Sequence, residues 1–225
     1  MGDAIGQILP IAIGIALSPI PIVAVVLMLA TPRARVNGPA FVAAWIVGLA
    51  AVGIIVLALV GDDATTDSGT PARWASGLKL VLGLLLLAFG VRAWLERPRG
   101  GEAGELPRWM RALDTFTPPK AAGAGLLLSA ANPKNLVLAV AGAATIAQAD
   151  ISVGQEAGAL AIFVAIGTLG VAAPLVLYFA LGDRSRAILD ELKDWMARNN
   201  ATIMAVLALI IGLKLIGDAI SGFSS

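Results

Sequence analysis

The chain has 225 residues, of which 58% are hydrophobic and 14% charged, with a net charge of +1 and a mean hydropathy of +0.87. That composition belongs to a polytopic membrane protein. There is no Cys and no His, which excludes disulfides, thiolate chemistry and the commonest zinc and haem sites, and leaves no side chain with an unperturbed pKa near neutrality.

Crossing the hydrocarbon core takes about 20 apolar residues in a helix. Six runs meet that length: 4–31, 39–60, 76–96, 121–148, 156–181 and 200–221. The opening "MGDAIGQ" lacks a basic n-region and carries Asp3, so the first run is expected to stay as a membrane helix rather than be cleaved. This run is long for a straight crossing and is interrupted by "SPIPI", Ser18–Ile22. The second run follows Arg33 and Arg35. The third carries Lys79 and Arg92 within a few residues of its ends, where snorkelling is expected.

After the third run comes a connector, residues 97–120, with Arg97, Arg99, Arg108, Arg111 and Lys120. Within it, "LPRWMRALDTF" places Trp109, Leu113 and Phe116 at i, i+4 and i+7, the spacing of an interfacial amphipathic helix. The fourth run is again long, and "NPKN", Asn132–Asn135, breaks it. Between the fifth and sixth runs, "RSRAILDELKDWMARN" repeats the amphipathic spacing with Ile188, Leu192 and Trp195. Both amphipathic stretches are expected to lie in the headgroup region, as anchors for spans four and six or as cytoplasmic gates. In the sixth run, Lys214 and Asp218 are four apart and are expected to pair along the helix.

Alternate loops hold eleven of the basic residues outside the spans, including Arg184, Arg186, Lys193 and Arg198; the opposite loops hold only Arg73 among Asp62, Asp63, Asp67, Asp150 and Glu156. The positive-inside rule places the basic loops in the cytoplasm and both termini outside. Because these charges flank membrane spans on one side, they do not indicate nucleic acid.

Placing Pro19 over Pro133 aligns "LSPIPIVAVVL" with "ANPKNLVLAVA", and "FGVRAW" near the end of the third run corresponds to "IGLKLI" in the sixth. The expected fold is therefore all-α, six transmembrane helices in two inverted three-helix repeats. The first repeat covers 1–96, the cytoplasmic amphipathic connector 97–120 and the second repeat 121–225, with helices 1 and 4 broken at the proline motifs. Small residues at Gly2, Gly6, Pro10, Gly14 and Ser18, and at Ala121, Gly125 and Ser129, lead into the breaks at every fourth position. Such stripes allow close helix approach, and spans one and four are expected to cross at the centre.

Each proline removes a backbone donor and frees a carbonyl, which is tolerated at membrane depth only inside protein or beside a watery cavity. Asn132 and Asn135 add amides, Ser18 a hydroxyl, and half-helix N-termini direct partial positive charge at the break. Lys134 lies mid-span with no mid-span acid anywhere in the chain. Two readings fit it: a site for an anionic ligand such as phosphate, sulfate or carboxylate, or a lysine that hydrogen-bonds to the freed carbonyls. With no buried Asp, Glu or His, Lys134 itself is the candidate titrating group for energy coupling. No P-loop is present, so ATP dependence would require a partner protein.

"PRWMRALDTFTPPKAAGAGLLLSAANPKNLVLAVA" (Pro107–Ala141), "LSPIPIVAVVLML" and "LALIIGLKLIGDAI" resemble the Sap/GAP family, the sulfolipid- and glycopeptidolipid-addressing proteins of actinobacteria within the lysine-exporter (LysE) superfamily. The resemblance covers essentially the whole chain. It implies a six-span protein of the inner (cytoplasmic) membrane tied to movement of envelope glycolipids, with its motif residues at Ser18, Pro19, Pro21, Asn132, Pro133, Lys134 and Asn135. The expected activity is an exporter or flippase for an anionic (glyco)lipid or lipid-linked intermediate. The alternatives are an exporter of a small soluble metabolite such as an amino acid, and a non-transporting accessory subunit of a lipid-synthesis or export complex. Membrane lipids and the anionic lipid or small molecule are the expected partners, and an oligomer is compatible. No cofactor or metal is expected. An enzyme is not, since no nucleophile–base arrangement lies at membrane depth.

Overall fold

The computed structural model describes residues 1–60, 73–97 and 116–224. Among these the secondary structure is entirely helical, in the order α1 Gly2–Ala16, α2 Pro19–Leu29, α3 Ala34–Val60, α4 Arg73–Leu95, α5 Pro118–Leu126, a π-helical turn Leu127–Ala131, α6 Pro133–Ala147, α7 Val153–Leu181, a short 3-10 turn Gly182–Arg184 and α8 Ser185–Ser224.

Among the described residues, three helical stretches are long and apolar enough to cross a membrane, or five when each bent pair is taken as one span. The pairs are α1 with α2, bent by 49°, and Pro118–Ala131 with α6, bent by 60°. Both bends fall at the motifs singled out in the sequence. Pro19 and Pro133 each stand in the first turn of the new helix, where the missing N–H would have no intrahelical partner anyway. A proline that would break the middle of a helix therefore starts one here at little cost.

Only 39% and 28% of the most apolar windows of α3 and α4 are buried. Leu59, Leu127 and Leu213 are each more than 60% exposed. A continuous apolar exterior of this kind has no place in water and matches lipid tails, so the chain is an integral membrane protein.

The interior is organised around helix contacts that small residues permit. α1 packs against α6 and α7, α5 against α3, and α4 runs along α8. At the α1–α7 crossing, a Cβ on Gly170 would stand 1.7 Å from the Ala16 carbonyl oxygen; at the α5–α3 crossing, one on Gly125 would stand 2.4 Å from that of Phe41. Gly83 and Gly212 meet each other's backbones between α4 and α8, a Cβ on either falling within 3.0 Å of the other's carbonyl oxygen. Helix pairs this close gain dispersion contacts that larger side chains would prevent.

Three expectations change. The stripe leading into the first break contributes only at its inner end: nothing lies within 4 Å of a Cβ on Gly2 or Gly6, whereas Gly14 abuts Ile211 and Leu138. Its counterpart, Ala121–Gly125–Ser129, packs on α3 rather than on the first span. The second amphipathic stretch, 184–199, is no separate headgroup helix, because Ser185 onward continues without interruption into the sixth apolar run. There Leu189 and Met196 face the core, while Ile188 and Trp195 are nearly half exposed. Hydrogen bonding to Asp190 at 2.8 Å raises the Lys193 ammonium pKa on the same segment. Most of the first amphipathic stretch, including Trp109 and Leu113, lies outside the described residues.

The third change concerns Lys79, which does not snorkel. It is 6% exposed and lies within electrostatic reach of Lys214 and Asp218 on α8. Lys214 and Asp218 pair along α8 as expected.

Candidate functional site

The two breaks meet. Their first residues have almost the same backbone, Ser18 at φ −75°, ψ 110° and Asn132 at φ −67°, ψ 121°, the extended geometry of an N-cap. They use it differently. Asn132 caps its own helix, its Oδ1 accepting from the Lys134 N–H at 3.1 Å. The Ser18 side chain makes no cap bond. Its hydroxyl donates instead to Asn135 Oδ1 at 2.8 Å, 117 positions along the chain.

Lys134 completes the junction. Its Nζ donates to the Gly14 carbonyl and to Ser18 Oγ, both at 2.7 Å. The Gly14 carbonyl is available because the break diverts its usual partner: the Ser18 N–H turns to Ile15 O, at 3.1 Å. On the other side, Asn135 Nδ2 donates at 2.9 Å to Leu128 O in the π-helical turn. A single chain of hydrogen bonds thus runs from the first broken span through Lys134, Ser18 and Asn135 into the second.

Burial makes this network consequential. Lys134 is 4% exposed, Ser18 3% and Asn135 0%. Among the described residues no carboxylate pairs with the ammonium. An ammonium in this setting is costly unless hydrogen-bonded. Two of its three protons are used, and both acceptors are neutral.

The expected site residues do not all contribute alike. Ser18, Lys134 and Asn135 are joined directly, and Asn132 supports them by capping α6. Pro19, Pro21 and Pro133 act through the backbone. Pro19 and Pro21 are buried while Pro133 is exposed. Because Pro19 and Pro21 remove two of the N–H groups at the start of α2, that helix brings its dipole to the junction but few donors. The positive charge at the junction lies on the α6 side, in Lys134. The carbonyls of Gly14 and Leu128 were not separately legible as participants, because backbone groups carry no residue-type signal.

Truncating the hydroxyl tests the junction as a structural element. Ser18→Ala leaves Asn135 Oδ1 without its donor and removes one acceptor from Lys134. We expect a loss of about 1–3 kcal/mol, read as a lower thermal unfolding midpoint in detergent; an unchanged midpoint would show that the network does not hold the two spans together.

No match was found among curated proteins or among solved structures. A family model does match, over residues 8–221, and therefore includes both breaks and every residue of the junction. The chain belongs to the family described as Sap, sulfolipid-1-addressing protein.

Proposed function

We propose that this protein is a secondary-transporter-like exporter or flippase for an anionic (glyco)lipid or lipid-linked envelope intermediate, with Lys134 at the centre of its binding site. The observation that carries the reading is the buried ammonium, bonded only to a carbonyl and a hydroxyl at the point where two broken helices join. An anionic headgroup replaces neutral acceptors with a charged one, adding direct charge–charge attraction that a low-dielectric interior strengthens. The described arrangement is then the closed state, in which Gly14 O and Ser18 occupy the ammonium until a ligand displaces them. The family name supplies the lipid class, a sulfolipid being an anion with a large apolar body.

The six-span inverted repeat belongs to this proposal. The third membrane-length stretch, Val153–Phe223, contains 71 residues and includes the turn at Gly182, where φ is +54°. As one straight helix it would be about 107 Å long, far beyond a bilayer of about 30 Å, so two crossings are the economical reading. Exchange of the halves also maps contacts onto contacts. α1 on α7 corresponds to α5 on α3, and α4 pairs with its own counterpart α8. Gly167 meets Ile15 and Gly48 meets Ser129, residues 15 and 129 being equivalent when Pro19 is set on Pro133. Arg92–Glu96 and Lys214–Asp218 are matching i,i+4 ion pairs at the corresponding positions of FGVRAW and IGLKLI. Likeness to the LysE superfamily, a location in the inner membrane and termini outside complete the proposed arrangement.

Vesicles of phosphatidylcholine containing the protein and a trace of tail-labelled lipid test it. The expected result is that phosphatidylglycerol becomes accessible to an external quencher faster than phosphatidylcholine with the same tail, and faster than in protein-free vesicles. Equal rates would refute the reading. Uptake of amino acids without lipid movement would favour the soluble-metabolite exporter, and activity only with a copurifying synthase or exporter would favour the accessory subunit.

A further inference from the structure

A lipid substrate has to reach a buried lysine from the side, and the fold has one flank built for that. A crevice of about 370 Å³ opens between α2, α4 and α8. At one end it is lined by Arg92, Glu96 and Asn200; at the other it reaches Ile20, next to the Ser18–Pro19 break, past Phe89 and Met204. From Glu96 to Phe89 is seven residues, about 10 Å along a helix. The crevice therefore leads from the end of α4 toward the junction.

Its polar end has unused capacity. Arg92 bonds to Glu96 through Nε at 2.9 Å, and among the described residues the guanidinium makes no other hydrogen bond. Arg97, whose guanidinium stacks 3.7 Å from the Trp94 ring centroid, adds a second cation against the single Glu96 and marks headgroup depth, where tryptophan concentrates. Asn200 Oδ1 is buried without a hydrogen-bond partner. An amide oxygen is an acceptor, so the group it lacks is a donor such as a hydroxyl.

The same Arg92 and Glu96 also border a second, shallow hollow of about 510 Å³ along α4, lined by Leu84, Leu87, Val91 and Leu95. From Leu84 to Leu95 it covers twelve residues of α4, about 17 Å, close to half of a hydrocarbon core about 30 Å thick. That is the depth of one leaflet's acyl chains. A soluble metabolite has no use for such a groove, whereas a lipid whose headgroup is at Arg92 would lay its chain there.

We infer that the flank between α2, α4 and α8 is a lateral portal for an anionic, hydroxyl-bearing lipid headgroup, with Arg92 holding the anion, Asn200 Oδ1 accepting a hydroxyl and the α4 groove taking the acyl chain. The inference rests on the proposed lipid substrate but makes its own prediction, because binding at the portal does not require transport.

The probe is phosphatidylglycerol, which carries a phosphate and free hydroxyls, with a diazirine in its tail. It is compared with the equivalent phosphatidylcholine in phosphatidylcholine nanodiscs, and the labelled peptides are mapped. The expected result is preferential labelling of residues 84–95 by phosphatidylglycerol, lost in Arg92→Gln by about tenfold, the equivalent of one charge-assisted hydrogen bond. Glu96→Gln frees Arg92 from its competitor and is expected to increase the preference. Asn200→Leu reduces it, and Lys134→Met leaves it intact. Equal labelling by the two lipids, or a preference that survives Arg92→Gln and is unmoved by Glu96→Gln, means annular lipid only and overturns the portal. Selective labelling without lipid movement would uphold the portal and refute transport. Movement without selective labelling would do the reverse.

Discussion

Gly170→Ala is expected to be the most damaging small substitution in the molecule. The new methyl group would stand 1.7 Å from the Ala16 carbonyl oxygen and 2.8 Å from its carbon. Neither can rotate aside, since both belong to the backbone of α1 immediately before the first break. Overpacking ordinarily costs about 1–3 kcal/mol, and a clash with backbone belongs at or above the top of that range. Relief requires α1 and α7 to separate, which also withdraws Gly14 O and Ser18 from Lys134. The measurement is thermal unfolding in detergent, with Gly217→Ala as the control: nothing lies within 4 Å of a Cβ there, and alanine should stabilise that helix by about 0.5–1 kcal/mol. Equal midpoints for Gly170→Ala and wild type would show that α1 and α7 do not pack as described.

Much of this architecture is readable in the residues. Apolar runs of membrane length correspond to the observed helices, and Ser18-Pro19 and Asn132-Pro133 mark both bends, since an N-cap residue type followed by proline favours a helix start. The isolated mid-span lysine is equally conspicuous, because composition makes it rare. Its partners are not. Before the fold is known, Lys134 fits both an anion and freed carbonyls, and the structure shows the carbonyl of Gly14 and the hydroxyl of Ser18 in place.

Lys79 is the instructive miss. Distance from a span end suggests snorkelling, but direction around the helix decides burial. Ser76, Lys79, Gly83, Leu86 and Gly90 recur at three and four residues, and the described members of this face turn toward α8 or the core. The two glycines on it were a usable sign of a tightly packed face. The continuity of α8 is a different case. Amphipathic and apolar segments differ in their surroundings, not in backbone geometry, so nothing between Asn199 and Ala201 obliges the helix to stop.

Lys134→Met carries the largest expected functional effect. It removes a buried charge while leaving a side chain of similar length, and exchanging buried ionic groups for apolar ones is often close to neutral. The lost bonds to Gly14 O and Ser18 offset part of that relief, so stability should change by no more than about 2 kcal/mol. Movement of an anionic lipid should respond very differently, because the substitution deletes the one cation at the junction. Losing one charge-assisted hydrogen bond, about 1.5–3 kcal/mol, corresponds to a fall of about ten- to a hundredfold in rate. Movement of a zwitterionic lipid depends less on that charge and should change little.

The decisive measurement is therefore the rate for phosphatidylglycerol relative to phosphatidylcholine, in matched vesicles containing wild type or Lys134→Met at equal protein density. Wild type is expected to prefer the anionic lipid and the variant to show no preference, with similar unfolding midpoints for the two proteins. A Lys134→Met protein that moves phosphatidylglycerol as fast and as selectively as wild type would contradict this expectation.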